Sequence, residues 1–164
     1  MTRLLIGKKK LVTAAIAVGA IASGATTALA GITTSTYTLD SMVSTAGNYA
    51  WLGDATGTYN CLAYALGNYS SWDWPWGVSN PDTWKADTYL KSKGFGTSKD
   101  ISSTDVAAYE IISYGNIYSI THFSRIAASN YTNAKWGNYE LLQSYGWQPY
   151  SASNYGPGVK KYAH

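Results

Sequence analysis

The sequence predicts an α+β domain in which short helices come first and a small antiparallel sheet follows. Three observations predict it. The stretch Tyr59-Asn60-Cys61-Leu62-Ala63-Tyr64-Ala65-Leu66-Gly67 has a cap residue, an apolar run and a glycine stop, so it reads as a short buried helix with Cys61 in its first turn. Asn80-Pro81-Asp82-Thr83-Trp84 reads as the start of a second helix, with Asn80 as cap and Pro81 in the first position. Ile117 through Ile126 is rich in β-branched and aromatic residues and alternates in part, which is the pattern of a strand.

The first thirty residues read as a secretory signal peptide rather than as fold. Arg3 and Lys8-Lys9-Lys10 are a basic start, Leu11 to Ala22 is an apolar run, and Ala28-Leu29-Ala30 is a small-x-small cleavage site before Gly31. The apolar run is too short to span a bilayer, and no later stretch approaches that length. Residues 31–164 then form one domain, expected outside the cell or at the wall. Four of the twelve basic residues lie in the leader and none of the nine acids does, so the mature balance is close to neutral. No basic patch remains for a nucleic-acid partner.

Taken in order, Gly31 to Tyr37 is a Thr/Ser-rich lead-in, and Leu39 to Val43 opens a short helix that ends before Gly47. Asn48 to Leu52 is apolar enough to pack. The Cys61 helix follows a loop over Gly53 to Thr58. In Ser71-Trp72-Asp73-Trp74-Pro75-Trp76-Gly77, Pro75 prevents regular structure, and an extended chain would turn Trp72, Trp74 and Trp76 to one side. Pro81 to Lys93 is amphipathic, with Ala86, Tyr89 and Leu90 as its apolar stripe, and Gly94 to Thr104 is a loop. Val106 to Ile112 fits helix or strand, and is most simply the hairpin partner of the strand after the turn Ser113–Asn116. In that strand Ile120, His122, Ser124 and Ile126 share one face, with Thr121, Phe123 and Arg125 on the other. Ser129 to Asn133 is a turn. Lys135 to Leu142 is a return strand leading into a helical turn, and the tail beyond Gln148 adds one edge strand.

Each candidate residue has two readings. A lone cysteine is commonly a small buried hydrophobe. In an exported chain, however, an unpaired thiol is a liability unless it is buried, paired between molecules or used. The free N–H groups at a helix start would favour its thiolate. His122 is either a hydrogen-bonded core histidine or the base for Cys61. Trp74 and Trp76, with Trp72, either wall a groove for a sugar or peptide, or pin a loop to the core. Arg125 and Lys135 are either ordinary charged strand residues or hold a substrate carboxylate. His164 is terminal and idle. One cysteine and two histidines do not make a usual zinc site, there is no glycine-rich phosphate loop, and the acids form no pair for glycoside hydrolysis, so no metal or cofactor is expected.

The segments Asn60-Cys61-Leu62-Ala63-Tyr64-Ala65, Val106 to Ile112 and Thr121-His122-Phe123-Ser124-Arg125, in this order, resemble papain-like cysteine peptidases and amidases. The compact secreted forms, such as CHAP amidases and related cell-wall hydrolases, are the most similar. Asn-Cys-x-Ala-Tyr-Ala, Thr-His-x-x-Arg and Lys-Trp-Gly together also resemble an uncharacterised family of secreted bacterial domains. The resemblance implies a papain-like fold and acyl transfer: Cys61 attacks an amide carbonyl, and His122 takes the thiol proton and returns it to the leaving amine. It implies oxyanion donors at the Cys61 N–H and the Asn60 side chain, and a polar residue orienting His122 from the next strand. Glu140 is the first candidate for that place and Asn138 the second. The substrate would be a peptide or a peptidoglycan stem peptide. The alternative is a non-catalytic secreted binding domain that holds cell-wall glycan or protein on its aromatic surface.

Overall fold

A computed structural model describes residues 31–102, 104–128 and 130–164. The expected leader and its cleavage site lie outside the described residues, as does Ser129 of the expected turn. The elements are α1 (Thr36–Met42), β1 (Ala50–Gly53), α2 (Cys61–Ala65), α3 (Thr83–Ser92), β2 (Thr97–Asp100), a 3-10 turn over Val106–Ala108, β3 (Ile111–Asn116), β4 (Ser119–Ala127), β5 (Tyr131–Lys135), β6 (Leu141–Tyr145) and β7 (Gly158–Ala163). The strands form one antiparallel sheet in the order β1-β6-β5-β4-β3-β7-β2. The α+β class of the sequence reading therefore holds.

Helices cover both faces of the sheet. On one face α2 and α3 bring Leu62, Ala65, Ala86 and Leu90 against Ile111, Ile120, Phe123 and Tyr162. On the other, Leu39 and Val43 from the α1 region meet Ile112, Tyr114, Trp136, Leu142 and Tyr150. Burying apolar area on both sides of a sheet is what lets so short a chain hold a core.

Several boundaries differ from the sequence reading. Asp82, not Asn80, caps α3: its Oδ1 accepts from the Lys85 N–H at 2.8 Å, because Pro81 sits before the cap rather than inside the helix. Tyr114 and Gly115 belong to β3 rather than to a turn, and the hairpin turns two residues later. The return strand is β5 from Tyr131, followed by a turn through Gly137 and then β6. The tail strand β7 lies inside the sheet, between β3 and β2, and the edge is β2, in a stretch read as loop.

The largest difference lies in β4. Tyr114 pairs with His122, but Gly115 pairs with Ile120, so Thr121 is an extra residue. This bulge reverses the alternation. Ile120 packs with Phe123 on the α2/α3 face, while His122 meets Tyr114 and Tyr150 on the opposite face. The expectation that Ile120 and His122 share a face is thereby corrected.

Candidate functional site

Asn60 and Cys61 are placed by a helix cap. The Asn60 Oδ1 accepts from the Ala63 N–H at 2.9 Å, and its Nδ2 donates to the Asp73 carbonyl at 2.8 Å. One side chain thus starts α2 and ties down the tryptophan loop. Strands β4 and β5 are paired only from Arg125 to Ala127, and α2 packs against both. Phe123 lies on β4 outside the stretch paired with β5.

Cys61 and His122 line one cleft of about 270 Å³, with Trp72, Trp74, Thr121 and Tyr155 among its other walls. Both residues line this cleft, and among the described residues the His122 ring nitrogens make no hydrogen bond to the Cys61 sulfur. Among the described residues the cleft wall carries no carboxylate, ammonium or guanidinium. The charged groups beside it are engaged elsewhere: Asp73 accepts from the Tyr89 hydroxyl at 2.8 Å, and Lys135 is bound to backbone carbonyls.

Burial sets the resting protonation of the pair. It pushes the Cys61 thiol up to about 11, against the pull of the Phe123, Leu62 and Cys61 amides and the Lys135 charge. It pushes His122 down to about 3. The expected bias toward thiolate is therefore not met. A helix of five residues has a small macrodipole, and desolvation of the charged sulfur outweighs it. At neutral pH the pair is a thiol and a neutral imidazole.

His122 is fully buried, and among the described residues neither ring nitrogen has a hydrogen-bond partner. A structural core histidine normally satisfies at least one of them. Aromatic rings surround it instead. Tyr155 stacks on it with centroids 3.8 Å apart and 12° between planes, and Tyr150 presents an edge at 4.8 Å.

Glu140 does not orient His122. Its Oε1 accepts from the Thr33 N–H at 2.6 Å, the Thr33 hydroxyl at 3.0 Å and the Thr34 N–H at 2.9 Å, which ties the N-terminal lead-in to the turn before β6. These donors hold the carboxyl down at about 2, although burial opposes them. Asn138 is exposed and makes no hydrogen bond to His122. Arg125 lies in a separate hollow with Glu110, Lys93 and His164, where its guanidinium donates to the Tyr69 hydroxyl at 3.4 Å. His164 is not idle there: its Nδ1 pairs with Glu110 at 2.7 Å.

The tryptophan loop divides. Trp72 and Trp74 face the cleft, and Trp74 Nε1 donates to the Ser79 carbonyl at 3.1 Å. Both Trp74 and Trp76 pack on the core beside Phe123, but Trp76, stacked near Phe123 and edge-on to Tyr89, is not part of the cleft wall. Sequence reasoning missed Thr121 and Tyr155. The bulge at Thr121 has no side-chain signature. Tyr155 stands in a loop where only the following Gly-Pro-Gly hinted at a tight approach.

Residues 50–163 match the family described as Domain of unknown function (DUF7689). The chain belongs to this family. The matched span holds Cys61, His122, Tyr155 and every strand of the sheet, whereas α1 and the Thr33–Thr34 contact to Glu140 precede it. No curated protein and no solved structure matches the chain. Among the described residues of this DUF7689 member, no three His, Cys, Asp or Glu side chains gather into a metal site, and no helix is long and apolar enough to cross a membrane.

Proposed function

We propose that this domain is a cysteine hydrolase of papain-like type that transfers an acyl group from an amide to Cys61, with His122 as general base and acid. The observation that carries the reading is the fully buried imidazole, both nitrogens unpartnered, on the same cleft as the only cysteine. Leaving such a group unsatisfied costs about 1–3 kcal/mol; Trp136 Nε1, Ser144 Oγ and the Tyr150 hydroxyl are likewise unpartnered, and it is the place on the cleft that singles out His122.

With both groups neutral at rest, the sulfur attacks the carbonyl carbon as its proton passes to a ring nitrogen of His122. The oxyanion is held by the Cys61 N–H and by the second amide hydrogen of Asn60, the first being committed to Asp73. The imidazolium then gives its proton to the leaving amine, and the C–N bond breaks. Water, deprotonated by His122, cleaves the thioester and returns the thiol. The uncharged, tryptophan-walled cleft fits an uncharged acyl segment better than an acidic one. The basic, apolar start of the sequence supports export, and peptides of the cell wall or of foreign proteins are the substrates within reach.

The test is acetylation of Cys61 by 4-nitrophenyl acetate, followed by nitrophenolate release and intact mass at neutral pH. The expected result is acetylation of the wild type, none in Cys61→Ala, and a loss of tenfold or more in His122→Gln. Equal rates in wild type and His122→Gln contradict the reading.

The second reading, a binding domain for wall glycan or protein, is favoured by the uncharged resting pair and by Trp72, which is half exposed at the cleft. Retention of Cys61→Ala on insoluble peptidoglycan, with no acetylation of the wild type, selects it.

A further inference from the structure

The cleft has a base but no polar residue to orient it, since neither nitrogen of His122 is bonded and Glu140 is occupied elsewhere. A ring in that position still needs its plane fixed, because proton transfer requires the nitrogen to be aimed at the sulfur. The geometry points to Tyr155 as the positioning residue of this site, holding the imidazole plane by face-to-face stacking where a triad would use a hydrogen bond. This inference rests on the catalytic reading of Cys61 and His122 given above.

The stack is close and nearly parallel, so any tilt of the imidazole drives it into the tyrosine face. The edge of Tyr150 at 4.8 Å limits motion from another direction, and Tyr114 lies 5.9 Å away. Such ring pairs contribute beyond the area they bury, enough to bias one ring orientation by about twofold to tenfold.

Tyr155 is in turn held from three sides. The Thr121 hydroxyl donates to the Tyr155 carbonyl at 2.6 Å, so the bulge residue next to His122 grips the residue stacked on it. The Gly115 N–H donates to the Pro157 carbonyl at 2.9 Å. The Asn154 side-chain amide donates to the Ser41 carbonyl at 2.7 Å, which ties the loop to α1.

Two glycines make the approach possible. Both have positive φ, +124° at Gly115 and +79° at Gly156, and a Cβ on Gly156 would stand 3.0 Å from the Gly115 Cα. Any side chain there lifts the loop from β3 and takes Tyr155 with it. The titratable rings packed against His122 are Tyr114 from β3 and Tyr150 and Tyr155 from the segment between β6 and β7, and Cys61 from α2 lines the same cleft.

The experiment combines NMR of the His122 ring with acetylation by 4-nitrophenyl acetate between pH 5 and 8. In the wild type the His122 ring protons should be shifted upfield by the stacked tyrosine, a result that needs no variant to fold. Tyr155→Phe keeps the face and should keep both the shift and the rate within twofold. Tyr155→Leu should lose the shift, acetylate at least tenfold more slowly, and let the His122 titration midpoint climb by a pH unit or more. Gly156→Ala should do the same through the loop. Unshifted His122 protons in the wild type overturn the assignment. So does an unchanged rate in Tyr155→Leu, or an equal loss in Tyr155→Phe, which would make the hydroxyl responsible. If His122→Gln reacts as fast as wild type, the catalytic reading itself has failed, whatever Tyr155 does.

Discussion

Two side chains near α2 are both fully buried and both basic, yet they are treated in opposite ways. Lys135 at the end of β5 donates to the carbonyls of Thr56 at 2.8 Å, Gly137 at 2.7 Å and Tyr139, and stands over the Tyr59 ring at 5.5 Å. An ammonium has three hydrogens, and all three are used. His122, on the neighbouring strand, uses neither nitrogen. Lys135 knots the loop before Cys61 to the turn after β5, which is a structural role, and neither reading made from sequence, a charged strand residue or a substrate anchor, described it. The difference teaches that burial alone does not mark a functional group. What separates the two is whether the surrounding backbone has already answered the group's hydrogen bonds.

The contrast is broken most easily by deleting each group in turn. Lys135→Met leaves three part-buried carbonyls without their donor and should cost about 3 kcal/mol in urea unfolding at pH 7. His122→Leu removes an unsatisfied group of similar volume and should leave the fold unchanged or about 1 kcal/mol more stable. If the histidine variant is the more damaging, the division between structural and functional burial fails.

A smaller effect appears in the pH dependence of stability. The folded pKa of His122 lies below its ordinary 6.5, at about 3, so the unfolded chain takes up a proton first as pH falls. Its contribution is complete above pH 6.5 and is lost between 6.5 and 3, with a limiting slope of about 1.4 kcal/mol per pH unit. Glu140 acts in the same direction over a lower window, from 4.5 toward 2. Unfolding measured between pH 6.5 and 4.5 should therefore be flatter in His122→Gln than in the wild type. Parallel curves would mean that His122 is solvated rather than buried.

How far the sequence could be read follows the range of the interactions. The Asn60 cap, the short Cys61 helix and the β4 strand are local, and their residues announce them. The bulge at Thr121 is not announced, because one inserted residue changes which face every neighbour points to without changing composition. Glu140 looked like an orienting acid because its partners, Thr33 and Thr34, lie more than a hundred residues earlier in the chain. Gly115 looked like a turn, yet it sits in a strand where a Cβ would fall 2.2 Å from the Ser119 carbonyl oxygen. Trp76 shared its spacing with Trp72 and Trp74, but Pro75 and the turn that follows send it to the core. Tyr155 depends on two glycines from different strands and loops meeting backbone to backbone, which no single stretch of sequence encodes.

The most direct test of His122 as the base for Cys61 is the pH–rate profile of Cys61 acetylation in the wild type and in His122→Gln. An imidazole already neutral above about pH 4 predicts a flat wild-type rate from pH 5 to 8. Without it, only the rare thiolate of a thiol titrating near 11 reacts, so the His122→Gln rate should climb tenfold per pH unit over the same range. Two superimposed profiles, both climbing tenfold per unit, would show that the imidazole takes no part and would contradict the account.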